Sequence, residues 1–180
     1  DWFGAFEFAY DMSVPNAAHL EPQRGGCCTV MPYFVGDVLE LPLTTTQDYS
    51  LFHILNDYSI DLWHEQIRLI AGRHGLISLI THPDYLDGPR ERHVYRTLLR
   101  HLAEVREREG VWFALPGQVN RWWRNRQKMR LVREGDGWRI DGPDVERARV
   151  AYASLQNGRL VYDVEAGVAG TVRRHYVPVQ

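Results

Sequence analysis

The chain has 180 residues, of which 44% are hydrophobic, 24% charged and 12% aromatic. This composition is typical of a globular protein that buries a full core, as one domain or as one domain with a small module. The formal net charge of -2 at pH 7 provides no basic field and argues against nucleic acid as the main partner. No apolar stretch approaches the roughly 20 residues of a membrane span, and no signal-peptide pattern is present.

The amino-terminal region begins at Asp1 and continues directly into an apolar segment, so we expect the chain to be a piece of a longer polypeptide. Residues 6–11 place aromatic side chains at every second position, which predicts a strand. Residues 12–37 form a long stretch rich in proline and glycine, and loops of that length are usually functional or disordered. Its aromatic residues and cysteines argue against disorder.

The two cysteines, Cys27 and Cys28, are adjacent in that stretch. Neighbouring cysteines form a disulfide only through a strained ring, so they cannot form the usual disulfide that closes a loop. The pattern favours two small thiols packed in a tight loop. A metal site is the alternative, but it needs further ligands that the local sequence does not provide.

The next elements are a short strand at residues 38–42, a brief apolar helix at 48–56 and a longer helix that Ser59 can cap. Gly75 stands where a left-handed residue is expected after that helix. The apolar face of the longer helix carries Trp63, Ile67 and Ile70.

An apolar run at residues 76–81 predicts a strand buried on both faces, and it stops at His82 and Pro83. Proline has no backbone N–H for a ladder, so it ends the strand. The imidazole of His82 is therefore expected at the carboxyl edge of a sheet, where α/β enzymes gather catalytic groups. The alternative is that His82 merely caps the strand and hydrogen-bonds the next loop.

The remaining pattern predicts a helix at residues 90–109, a buried strand at 111–115 and a helix from Pro116 to Arg126. Alternating strands and helices are typical of an α/β protein with a parallel sheet. Short segments separated by glycine-rich turns follow, and Asn157-Gly158 predicts a β-hairpin. We therefore predict an α/β domain over residues 1–127 and a small antiparallel β module over 128–180.

Asp11 is the second candidate for a site residue, because it also ends a predicted strand and precedes a loop. A carboxylate there can orient an imidazole or a catalytic arginine and tune the pKa of that group. The alternative is a local turn at the strand end, which Asp11 and Ser13 serve equally well. Residue type alone favours the turn.

Several motifs resemble, in order and spacing, the carboxyl-terminal half of the polysaccharide deacetylase (NodB-homology) family. The resemblance covers about residues 1–127. Its motifs are Tyr10-Asp11-Met12-Ser13-Val14-Pro15, Pro22-Gln23-Arg24-Gly25-Gly26-Cys27-Cys28-Thr29-Val30-Met31-Pro32 and Leu79-Ile80-Thr81-His82-Pro83-Asp84-Tyr85, followed by Leu115-Pro116, Val119 and Trp122-Trp123-Arg124.

This resemblance implies the later half of a distorted (β/α)7 barrel that hydrolyses N-acetyl groups of a carbohydrate substrate. In the family a divalent metal, commonly zinc, is held by one Asp and two His; it polarises the acetamide and activates water, while an Asp acts as base. A late-strand histidine in an apolar-x-His motif protonates the departing amine, and His82 matches that position. Asp11 matches a strand whose carboxylate tunes the site.

The family's early motifs are missing from this sequence: the Thr-Phe-Asp-Asp motif, the His-x-x-x-His pair and the Arg-Pro motif. The resemblance therefore implies that the metal ligands and the base lie upstream, in the full-length parent. We expect the chain alone to bind no catalytic metal and to deacetylate nothing. An unclosed half barrel leaves an open sheet edge, so we expect aggregation or assembly with the missing amino-terminal half.

A rival to the enzyme hypothesis is a non-catalytic carbohydrate-binding or structural domain. The run from Trp122 to Lys128 interleaves basic and aromatic residues, as surfaces that bind nucleic acid or another anionic surface do, and acidic polysaccharide is a third alternative. A helix with tryptophan packed inward and arginine solvated is the favoured interpretation. The β module is either a packing unit or a sugar-binding unit, whose stacking candidates are Tyr152, Tyr162, Trp138 and Tyr176.

Overall fold

The computed structural model describes residues 6–16, 29–164 and 173–177. The chain divides into two compact units, Asp1–Asn120 and Arg121–Gln180. The division falls earlier than the boundary after residue 127 that the sequence predicts. The predicted thiol loop at Cys27 and Cys28 lies outside the described residues.

The first unit contains a small mixed sheet made of β1 (Tyr10–Asp11), β2 (Tyr33–Val35) and β3 (Val38–Glu40), in the order β1-β3-β2. β1 runs parallel to β3, whereas β2 runs antiparallel to it. The strand predicted at residues 38–42 is thus confirmed as β3, and only the end of the predicted segment 6–11 pairs as β1. The parallel course continues past the strands, since the N–H of Leu41 bonds the carbonyl of Asp11 at 2.8 Å.

Three α-helices are present among the described residues at the positions that apolar spacing predicts. They are α1 (Asp61–Ala71), α2 (Pro89–Glu109) and α3 (Pro116–Lys128). A π-helical turn at Ser50–Ile54 occupies the place of the predicted brief helix, and a 3-10 turn follows His82 at Pro83–Tyr85. The described helices include none that is long and apolar enough to cross a membrane.

The two ends of α1 both differ from the prediction. The N-cap residue is Ile60, which has no capping side chain, and Ser59 stands one residue before it. The Ser59 hydroxyl accepts a hydrogen bond from the N–H of Asp61 at 3.2 Å, as in a local serine turn. The left-handed residue after the helix is His74, with φ 55°, and not Gly75. Gly75 serves a close approach instead, because a Cβ there would lie 2.6 Å from the side chain of Val30.

The core of the first unit joins the π-helical turn to one face each of α1 and α2. Trp63 is completely buried, and its indole N–H donates to the carbonyl of Thr46 at 2.6 Å. A large aromatic side chain with a satisfied polar atom therefore anchors α1 to the segment that follows β3. The buried core residues are Leu51, Phe52, Trp63, Ile67, Val94, Leu98 and Val105.

The buried strand predicted at residues 111–115 is wrong, since the segment belongs to no strand within the described ranges. Val111 packs against the core, but Trp112 is 45% exposed and Phe113 50% exposed. The guanidinium of Arg106 lies 5.5 Å from the Phe113 ring. An apolar run can lie along a surface when no neighbouring strand covers it, and the pattern alone does not reveal this.

The second unit is built from antiparallel strands after the end of α3. β4 (Arg130–Glu134) pairs with β5 (Gly137–Asp141), and a three-stranded sheet has the order β6-β7-β8. Its strands are β6 (Ala151–Gln156), β7 (Arg159–Val164) and β8 (Arg173–Val177). Asn157 and Gly158 both have positive φ, 51° and 72°, at the turn between β6 and β7. This confirms the predicted hairpin, because a two-residue turn of this kind needs left-handed residues.

Candidate functional site

The segment that leads to His82 lies beside the residues that follow β3. The hydroxyl of Thr44 donates to the carbonyl of Leu76 at 2.7 Å and accepts from the N–H of Ser78 at 2.9 Å. The hydroxyl of Thr45 donates to the carbonyl of Ser78 at 2.9 Å. Threonine side chains therefore replace most of the backbone ladder that a regular parallel strand would form.

This arrangement corrects the strand predicted at residues 76–81. Alternate residues of the segment are bonded, at the spacing of a strand, and the bond from the N–H of Asp48 to the carbonyl of Ile80 is long, at 3.5 Å. Side-chain hydroxyls occupy the backbone groups, so the segment is not a regular strand. It still runs parallel to residues 44–48 and delivers His82 beside Asp48.

His82 is held by both oxygens of the Asp48 carboxylate. The imidazole Nδ1 lies 2.7 Å from Asp48 Oδ1, and the backbone N–H of His82 donates to Oδ2. Asp48 is completely buried, whereas the His82 side chain is 44% exposed. One face of the histidine is therefore fixed by the protein and the other is open to a ligand.

The chemistry of this pair follows from its hydrogen bonds. A carboxylate only accepts, so Nδ1 carries the proton that is shared with Asp48. The second ring nitrogen, Nε2, then accepts a proton when the ring is neutral and donates one when the ring is charged. A carboxylate behind an imidazole fixes its tautomer and stabilises the imidazolium, which suits general acid or base catalysis.

Aromatic rings pack beside this pair. The ring of Tyr85 lies 5.0 Å from that of His82 and 5.5 Å from that of Tyr49. The ring of His53 lies 5.0 Å from that of Tyr85. We call these residues, with Asp48, the His82 cluster: Asp48, Tyr49, His53, His82 and Tyr85. The cluster combines a proton-transfer group with aromatic side chains, of which Tyr49 is 38% exposed.

Asp11, the other predicted site residue, lies in a different environment. The hydroxyl of Ser13 donates to its carboxylate, and Asp11 is in register with Glu40 of β3. Burial raises the pKa of Glu40 above its ordinary value and the Asp11 charge adds to this, whereas a hydrogen bond from the N–H of Val14 opposes it. The carboxylate that contacts His82 belongs to Asp48.

Asp48 was missed by the sequence interpretation, although a signal for it exists. It ends a run of three threonines, a glutamine and an aspartate at residues 44–48, which follows β3 and the apolar residues 41–43. Four of these residues are almost completely buried: Thr44, Thr45, Thr46 and Asp48. A polar run that continues an apolar strand is costly to bury without partners, so it indicates a hydrogen-bonded site.

Metal ligands are not grouped in the part of the chain that the structure describes. No set of three or more His, Cys, Asp or Glu side chains there is arranged to hold a metal ion. The described residues therefore do not fit a catalytic zinc site by themselves, because such sites use three protein ligands.

Comparisons of the chain with protein-family models, with curated proteins and with solved structures found no match. The functional interpretation therefore rests on the geometry of the His82 cluster and on the motifs in the sequence.

Proposed function

We propose that this chain is the carboxyl-terminal half of a polysaccharide deacetylase barrel, and that its parent hydrolyses N-acetyl groups of a carbohydrate. The observation that carries the proposal is the Asp48–His82 pair. The histidine of the apolar-x-His motif is held at Nδ1 by a buried carboxylate and has an exposed ring. This is the arrangement that a general acid requires, because a fixed imidazole directs Nε2 at a substrate.

The course of the backbone supports the proposal. Residues 11–16 run parallel to residues 40–43, through bonds from Leu41 to Asp11 and from Leu43 to Val14. Residues 44–48 run alongside residues 76–80. Of these two pairs, the second is joined through α1, as parallel neighbours in a (β/α) barrel are joined through helices.

The proposed role of His82 is to protonate the departing amine. As the C–N bond breaks, the proton on Nε2 moves to the leaving nitrogen, and the ring becomes neutral while Nδ1 remains bonded to Asp48. An amine is a poor leaving group without that proton. General acid catalysis of this kind contributes about 10²- to 10⁴-fold to a rate.

The missing elements of the site are proposed to come from the amino-terminal half of the barrel. The sequence lacks the Thr-Phe-Asp-Asp and His-x-x-x-His motifs, and the described residues do not group as metal ligands. Exposed apolar side chains at residues 112–115 support a partner segment that covers them. The chain alone should release no acetate.

The experiment measures acetate release from N-acetylglucosamine oligomers by the full-length parent and by His82→Asn. The variant should lower kcat by about 10²-fold or more and leave KM nearly unchanged. It should lose far less on 4-nitrophenyl acetate, because a nitrophenolate departs without a proton. His93→Asn, at an exposed histidine of α2, is the matched control and should behave as wild type.

Two results would overturn the proposal. One is a His82→Asn parent with wild-type acetate release, and the other is an equal loss on both substrates. A third result, acetate release by this chain alone, would contradict the division of the site between two halves.

The second candidate function is carbohydrate binding without catalysis, which the rings of Tyr49 and Tyr85 favour. They lie 5.5 Å apart, and Tyr49 is 38% exposed. This function predicts that the parent binds N-acetylglucosamine tetramer and that Tyr49→Ala weakens binding, while no acetate is released under any metal condition.

A further inference from the structure

The two units differ in charge far more than the net charge of the chain suggests. Residues 121–180 contain 12 of the 21 Lys and Arg residues and 7 of the 23 Asp and Glu residues, which gives them a formal charge of +5. The first 120 residues carry the other 9 basic and 16 acidic residues, a charge of -7. The second unit is therefore a basic module, and an anionic ligand is favoured there.

A pocket of about 460 Å³ opens on this basic unit. Four arginines from α3, β4 and the segment before β6 line it, and none of its lining residues is acidic. The remaining lining is largely apolar and includes an indole. The lining residues are Trp122, Arg126, Met129, Arg130, Leu131, Ile140, Arg147, Ala148, Arg149, Val150 and Ala151.

Two of the arginines are positioned by neighbouring groups. Arg149 Nη1 donates to the carbonyls of Glu146 at 2.8 Å and Ala148 at 2.6 Å. The guanidinium of Arg126 lies 4.6 Å from the Trp123 ring. A guanidinium held in place loses less freedom when it binds a carboxylate, so these contacts favour binding.

We propose that this pocket binds an acidic saccharide, with the carboxylate of a uronic acid on the arginines and a sugar face on the apolar floor. Arginine binds carboxylate oxygens through two parallel N–H donors. The indole of Trp122 and the side chains of Leu131 and Ile140 provide the apolar surface that the C–H face of a sugar needs. The volume lies within the roughly 300–1,000 Å³ typical of small-ligand pockets.

A single pocket, in place of an extended groove, distinguishes this ligand from nucleic acid. Single strands are bound along extended grooves with a series of phosphate contacts and stacked bases. Here four arginines line one depression of about 460 Å³. The anionic charge of the ligand follows from the pocket alone, while the choice of a sugar as its carrier rests on the proposed function.

The test titrates the chain with tetragalacturonate by isothermal calorimetry, beside the neutral N-acetylglucosamine tetramer and an eight-nucleotide oligothymidylate. Tetragalacturonate should bind at least tenfold more tightly than the neutral tetramer, and binding should weaken as sodium chloride increases from 50 to 500 mM. Arg126→Ala and Arg130→Ala should each weaken it about tenfold, as expected for a lost charge-assisted hydrogen bond.

Arg121→Ala is the matched control, because this exposed arginine lies on the same helix but not in the pocket. It removes the same charge and should change the affinity less than twofold. An equal effect of all three variants would mean that only diffuse charge attracts the ligand, which overturns the site. Equal binding of the neutral tetramer, tighter binding of the oligothymidylate, or no binding would each overturn it as well.

The outcome is separable from that of the proposed function. Acetate release by the parent on short neutral oligomers does not need this pocket, so Arg126→Ala should leave it unchanged. Loss of acetate release in His82→Asn with retained tetragalacturonate binding supports both proposals. Retained acetate release in His82→Asn refutes the deacetylase proposal while the calorimetry still decides the pocket.

Discussion

Two buried carboxylates of the first unit have opposite partners. Asp48 is completely buried and bonds the imidazole of His82, whereas Glu40 is 3% exposed and lies in register with the carboxylate of Asp11. Both follow from parallel segments that bring residues far apart in sequence together. Burial alone does not assign a role to a carboxylate, because the group that the carboxylate faces also determines whether its charge is stabilised or opposed.

The largest expected loss of stability comes from removing the Asp48 carboxylate from the Asp48–His82 pair. Asp48→Ala deletes the acceptor of three donors: His82 N, His82 Nδ1 and Tyr49 N. The Asp48 carboxylate is completely buried and three part-buried donors lose their acceptor with it, so we expect about 3–5 kcal/mol less free energy of unfolding in urea. Asp84→Ala, at an exposed carboxylate of the 3-10 turn, should change it by less than about 0.5 kcal/mol.

A second variant at this position, Asp48→Asn, tests how the Asp48 carboxylate sets the tautomer of the His82 imidazole. In wild type the neutral His82 ring should carry its proton on Nδ1, and in Asp48→Asn this preference should be lost or reversed. Two-dimensional ¹H–¹⁵N correlation of the imidazole nitrogens measures the tautomer directly. An unchanged tautomer in Asp48→Asn would show that another group orients the ring.

The second effect concerns the threonine that aligns the segment before His82. Thr44→Val keeps the shape of the side chain but removes the hydroxyl between Leu76 O and Ser78 N. A buried N–H then loses its acceptor, so we expect a loss of about 1–3 kcal/mol in urea unfolding. Thr97→Val is the matched control, because its hydroxyl bonds only its own exposed helix turn. Equal losses in the two variants would refute the alignment role.

The sequence predicts the parts of this fold that depend on local order. The apolar spacing of α2 and the Asn157-Gly158 turn are set within a few residues, and both are confirmed. The hydrogen-bond partner of His82 is 34 positions away in the sequence. A local sequence pattern cannot predict a contact over that separation. The sequence points to His82 because the apolar run before it ends at a proline. It does not point to Asp48, because the role of Asp48 depends on its contact with His82, which is distant in sequence.

The two apolar runs predicted as strands illustrate the same limit. Residues 76–80 have neighbours, and their backbone is bonded by threonine hydroxyls in place of a ladder. Residues 111–115 have no strand beside them within the described ranges, and Leu115 is 71% exposed. Apolar composition reports the tendency to be buried, but the surrounding chain decides whether burial occurs.

The pair of carboxylates at Asp11 and Glu40 predicts a smaller change in the free energy of unfolding, and here the substitution should stabilise the protein. Glu40→Gln removes one of two like charges but leaves an acceptor for Val14 N, so it should stabilise the protein by about 1 kcal/mol or less at pH 7. Because the pKa of Glu40 is raised on folding, the folded state binds more protons above the ordinary value of 4.5. Wild-type stability should therefore fall as pH rises from 4.5 through the raised pKa of Glu40 in the folded state, and Glu40→Gln should lack this decrease. A variant less stable than wild type at pH 7 would contradict the repulsion.

The smallest expected change in stability comes from a pair of imidazoles, which repel each other when both are protonated, as the carboxylates of Asp11 and Glu40 do when both are ionised. The rings of His64 and His101 are 4.6 Å apart, and the buried Nε2 of His101 has no hydrogen-bond partner among the described residues. Burial lowers the pKa of His101, and His64 adds to this. The nearby charged side chains of α2 act in both directions: Glu104 and Glu109 raise the pKa, whereas Arg108 lowers it.

The sign of this effect is opposite to that of Glu40. A lowered pKa means that the unfolded chain binds the proton more readily, so stability is complete above the ordinary value of 6.5 and is lost as pH falls below it. Urea unfolding between pH 5 and 8 should therefore show a decrease on the acid side that His101→Gln reduces and His93→Gln does not. If His101→Gln keeps the full decrease, the acid sensitivity belongs to another group, and the parallel between the two like-charged pairs fails.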